Sequence, residues 1–140
     1  MLQIEVVVNL SDQVPGLNGI QFQFDLGKSL VHLAAQFLSC QDAGGSLTEK
    51  DVSVYFRESR LSDVVTHDFS IGVIANDFPD RHANLQERTD LIRDGLRDIL
   101  KHKTVVWQAS REVTFSIWVT LSPGGFSEGS EGRLEPQLQP

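Results

Sequence analysis

The residues equipped for chemistry are few and scattered. His32, His67, His82 and His102 form no HExxH pair and none stands beside a cysteine, so their spacing implies no metal set. Cys40 is the only cysteine, which leaves neither an internal disulfide nor a CxxC redox pair and suits a reducing compartment. Neither GxGxxG, nor GxxxxGK followed by Ser or Thr, nor GxSxG occurs, so no cofactor is implied and nucleotide and serine-hydrolase chemistry have no motif to rest on. What remains are single polar side chains. Arg81 has the planar, fixed charge that holds a carboxylate through two hydrogen bonds, or it is a solvated charge just ahead of a helix. Arg57 and Glu58 either face a cleft or join an ordinary cross-strand ion pair. His67 is of the residue type suited to acid–base work, although beside Asp68 at a strand entry it also fits a surface histidine. Trp107 and Trp118 can wall an apolar site or fill a subunit interface, and the interface is the expectation.

The elements that must position these side chains are read from hydrophobic period. Ile4, Val6, Val8 and Leu10 alternate with Glu5, Val7 and Asn9 as a strand buried on one face. After a loop marked by Pro15, Gly16 and Gly19, the run Ile20, Phe22, Phe24, Leu26 alternates too, as a short strand or an extended lead-in. Leu30, Leu33, Ala34, Phe37 and Leu38 then repeat at helical spacing, predicting a helix from Lys28 to Cys40 capped by Asp25 or Ser29. Strands follow at 52–57 and 69–73. Residues 76–83, polar and holding Pro79, are expected to be a loop. Asn84 with Glu87 opens a second helix whose inner face is Leu85, Leu91, Ile92, Leu96, Ile99 and Leu100, with Gly95 there to admit a close approach to the sheet. Val113, Phe115, Ile117, Val119 and Leu121 alternate as the last strand. The order implies an α/β (α+β) fold of two β-α-β halves, a four-stranded sheet with both helices on one face. The opposite face, with Val7, Tyr55 and Trp118, is expected to meet another subunit.

At 140 residues the chain has the length of one domain, here 1–123, followed by a tail, 124–140, too poor in apolar residues to anchor itself. Twelve basic against nineteen acidic residues give a net charge of −7, which repels a phosphate backbone and argues against nucleic acid. No apolar run reaches the length of a membrane span and the first residues read as a strand rather than a signal peptide, so a cytoplasmic protein is expected.

The stretch from Val52 to Leu100 and the final strand carry a resemblance. A strand ending in Tyr-Phe-Arg-Glu (55–58), a turn, the strand HDFSIGVIAN (67–76), a polar loop with Arg81, a long amphipathic helix and an alternating strand resemble the tautomerase superfamily, in particular its 5-carboxymethyl-2-hydroxymuconate isomerase-like branch. The resemblance implies a homotrimer with sites between subunits and keto–enol isomerisation of a small unsaturated 2-oxo or 2-hydroxy acid. It also implies an N-terminal proline as general base and arginines holding a carboxylate, with Arg81 matching by position. Here the second residue is Leu2 and the first proline is Pro15. The primary amine of Met1 then serves as a poorer base, another residue has taken the role, or the fold persists without the reaction as an oligomeric module that binds a ligand or protein.

Overall fold

The computed structural model describes residues 2–9, 19–42, 44–59, 67–106 and 112–122. Its strands are β1 (Leu2–Val8), β2 (Val52–Glu58), β3 (Phe69–Asn76) and β4 (Phe115–Ser122), and its helices α1 (Ile20–Leu38), α2 (Pro79–Ala83) and α3 (Leu85–Val106). The sheet order is β2-β1-β3-β4. β1 and β2 run parallel with Leu2 opposite Val52, β3 and β4 run parallel with Phe69 opposite Phe115, and β1 and β3 meet antiparallel. Each helix crosses between the parallel strands of its own half, so the two halves are related by an internal pseudo-twofold between β1 and β3, as the element order predicts.

The alternation in each strand sends one row under the helices. Leu2, Ile4, Val6, Val8, Phe69, Ile71, Val73 and Ala75 form that row in the two central strands, all buried. Against them pack Phe22, Leu26, Leu30, Leu33 and Leu38 of α1 and Ile92, Leu96 and Leu100 of α3. Phe22 anchors the α1 side, its ring 6.1 Å from Phe56 and 5.8 Å from Phe69, both edge to face.

Five expectations about elements need correction. The run 20–26 is the first part of α1, not a strand. Its period of two is an accident of composition: Phe22 and Leu26 are buried and continue the spacing to Leu30 and Leu33, whereas Ile20 and Phe24 point outward. Asp25 is consequently a buried mid-helix residue, not a cap. It accepts two hydrogen bonds from Gln21 Nε2 and pairs with Lys103 of α3 at 3.8 Å. Residues 79–83 are a short helix, α2, with Pro79 in its first turn, where a missing N–H costs nothing. The close approach at Gly95 is to α1, since a Cβ there would stand 2.7 Å from Leu33 Cδ2. Leu91, expected inside, is about half exposed.

Candidate functional site

Along β1, seven residues at about 3.3 Å each separate the two ends of the sheet by roughly 20 Å. Arg57 and His67 lie at one end, and Arg81 lies near the other, beside the close of β3. The structure therefore sets Arg57 and His67 at one end of the sheet, on strands separated by β1, and Arg81 apart from them. Met1 and Trp107, like the tail from 124, fall outside the described residues.

Arg81 is neither on a loop nor in solvent. It sits in α2 and is 1% exposed, the bulkiest of the fully buried side chains. Its Nε donates to the Leu38 carbonyl at 2.7 Å, Nη1 to the Asn76 carbonyl at 2.7 Å and Nη2 to the Gly45 carbonyl at 3.0 Å. One guanidinium thus ties the end of α1, the connection after it and the end of β3. The ring of Phe78 covers it at 5.2 Å. Burial draws the guanidinium below its ordinary pKa, while neighbouring Cys40 pushes it back up. This geometry is at odds with the expected carboxylate clamp, because the donors a ligand would use hold the backbone.

Arg88, which sequence reasoning passed over, completes the arrangement. Its Nη1 donates to the carbonyls of Phe37 and Ser39 at 2.9 and 2.8 Å, and its Nε to Asn84 Oδ1 at 2.6 Å. The last turn of α1 holds no basic residue of its own. Its orphan carbonyls, and the negative end of its dipole, are met instead by two arginines from the α2–α3 segment. Only the tertiary fold reveals this, since 49 to 51 residues separate the partners.

At the other end, Arg57 Nε donates to Glu5 Oε2 at 2.8 Å across the parallel β1–β2 pair, both side chains being partly buried. The cross-strand alternative for Arg57 is therefore the one observed, with Glu5 rather than Glu58 as partner. The His67 carbonyl accepts from Asn9 Nδ2, and the adjacent Asp68 is buried. Asp68 Oδ2 accepts from the Thr114 backbone N–H at 2.8 Å and from Thr114 Oγ1 at 3.2 Å, joining the entry of β3 to that of β4. Asp68 was read only as a neighbour of His67, and no local pattern marks its burial. Among the described residues no group of three or more His, Cys, Asp and Glu is gathered to hold a metal, and no helix is long and apolar enough to cross a membrane.

On the face away from the helices, registers align three rows across the sheet. They are Ser53–Gln3–Ile74–Thr120, Tyr55–Glu5–Gly72–Trp118 and Arg57–Val7–Ser70–Ser116. Tyr55, Ile74 and Trp118 are each about half exposed, and the Trp118 indole lies over Gly72, where a Cβ would touch it at 3.7 Å.

Two parallel β-α-β units joined back to back into one four-stranded sheet, with one face covered by helices, are a fold that this chain shares with solved structures of tautomerase-superfamily proteins. A 5-carboxymethyl-2-hydroxymuconate delta-isomerase superposes with a TM-score of 0.56 over 96% of this chain and 89% of its own, at 8% identity. A fused 4-OT solved as an asymmetric trimer gives 0.56 over 92% and 94% at 9% identity. Malonate semialdehyde decarboxylase gives 0.55 over 94% and 92% at 8% identity. No protein-family model and no curated protein matches the sequence itself.

Proposed function

We propose that this chain is a tautomerase-like protein that assembles as a homotrimer and interconverts the enol and keto forms of a small unsaturated 2-oxo or 2-hydroxy acid held between subunits. The observation that carries the reading is the fold, shared over nearly the whole chain with an isomerase and with a fused 4-OT solved as a trimer. In this reading the α-amine of Met1 takes the enol O–H proton and returns it to carbon. A guanidinium meanwhile balances the charge on the enolate oxygen. Arg57 is the cation we assign to that task, with His67 at the same end of the sheet, across β1. Both lie roughly 20 Å from the start of β1 within one protomer. Only an assembly that sets one copy's β1 against another's Arg57 edge unites base and cation.

A second reading, an oligomeric module without catalysis, is favoured by two specific observations. Leu2 stands where the resemblance calls for a proline, and Arg81 is committed to three backbone carbonyls. Absorbance assays of enol-to-ketone conversion with small 2-hydroxy-dienoic acids separate the two. Acceleration over buffer that falls at least tenfold in Arg57→Gln supports the isomerase. No acceleration by a protein that sediments as an oligomer leaves the second reading standing.

A further inference from the structure

Among the described strand residues on the uncovered face, Arg57 is the one cation and Glu5 the one anion, and they pair with each other, 25% and 34% exposed. Glu5 Oε2 takes the Nε side of the guanidinium at 2.8 Å, and Nη1 makes a longer contact of 3.4 Å with the Glu58 carbonyl. Just ahead of β3, Asp68 alternates onto the same side of the sheet as Ser70. It is a second carboxylate, buried and accepting hydrogen bonds from Thr114. His67, the other basic residue at this end, adjoins Asp68 in sequence and is separated from Arg57 by β1. At the start of β1, which the proposed assembly brings to Arg57, the row Ser53–Gln3–Ile74–Thr120 carries no charge. The rest of the face offers the half-exposed Tyr55 and Trp118.

This balance bears on the acid the site takes. A 2-oxo acid carries its keto oxygen and its first carboxylate on adjacent carbons, so one planar guanidinium meets an oxygen of each. With Glu5 on the Nε side, the charge of Arg57 is already matched once. A second ligand carboxylate would bring a further like charge into a partly dry site that holds no second arginine or lysine on its strands, and an uncompensated charge of this kind is how a site rejects a close analogue.

We infer that the substrate is a monocarboxylate with an uncharged, largely apolar tail, and that Glu5 is the residue that rejects a second carboxylate. The inference rests on the isomerase reading and names its substrate class. Binding is measured by calorimetry with 2-oxohexanoate and 2-oxohexanedioate, which share the 2-oxo acid head and end in a methyl or a carboxylate. The unsubstituted protein is expected to bind the monoacid about tenfold more tightly or better. Glu5→Gln keeps an acceptor for Arg57 Nε and removes the charge, so it should lower that ratio by about fivefold or more, whereas Glu5→Asp, which keeps the charge, should retain most of it. Equal affinities, tighter binding of the diacid, or binding of neither acid overturns the inference. So does a ratio that Glu5→Gln leaves unchanged. Enol-to-ketone conversion, followed separately by absorbance, keeps the two failures apart. Turnover without discrimination overturns the inference alone, and discrimination without turnover removes the isomerase reading while leaving Glu5 to select a ligand.

Discussion

Arg57 and Arg81 carry the same group and are held differently. Arg57 is partly exposed and paired with one carboxylate across a strand. Arg81 is enclosed and gives its donors to three carbonyls from three segments. Removing a buried partner leaves those carbonyls to bear their desolvation cost, about 1–3 kcal/mol each. Arg81→Ala is therefore expected to destabilise the fold by about 3–5 kcal/mol, which urea denaturation would detect. Arg81→Lys should recover only part, because one ammonium cannot span three acceptors arranged around a planar fork. A fall below about 1 kcal/mol for the alanine variant would return Arg81 to the role of a dispensable charge. The sequence marked Arg81 as notable for its place after β3, but a local pattern cannot reveal that Leu38, 43 residues away, supplies an acceptor. An ion pair across strands was legible for Arg57 from its place on β2, but its partner Glu5 required the β1–β2 register.

At the level of elements, the strands and α3 could be read because their apolar periods have one solution. The 20–26 run had two, and the choice depended on whether Ile20 and Phe24 or Asp25 faced the core. Burial of Asp25 became tolerable only with Gln21 and Lys103 at hand, and Lys103 comes from another helix. Gly95 shows the same dependence. In an isolated helix Gly95→Ala gains about 1 kcal/mol. Here the added methyl meets Leu33, a core side chain that is 5% exposed, and overpacking of this kind costs about 1–3 kcal/mol. The expected outcome is a net loss of about 1 kcal/mol in the wild-type background and a net gain of similar size in a Leu33→Ala background. Equal effects in the two backgrounds, measured as a double-mutant cycle, would show that the α1–α3 contact does not select glycine.

For the whole molecule, the decisive surface is the sheet face that the helices leave uncovered. Its legibility was partial. Tyr55 and Trp118 were placed outward from period alone, whereas their sharing of one row required the β1–β3 register, which no sequence pattern fixes. If copies associate through this face and its edges, a single charge on β4 should act against assembly without touching the core. Thr120 is exposed, lies on the row with Ile74 and faces away from the helices, so Thr120→Lys adds a blunting residue to the uncharged strand. Sedimentation should then show the wild type at three times 15.6 kDa and Thr120→Lys shifted toward the single chain, at least tenfold weaker in association. Circular dichroism of the variant should remain that of the folded wild type, because a surface substitution of this kind alters protomer stability by about 0.5 kcal/mol or less. An unchanged trimer would place assembly elsewhere on the molecule. It would also leave the apolar trio of Tyr55, Ile74 and Trp118 to be explained by a different partner.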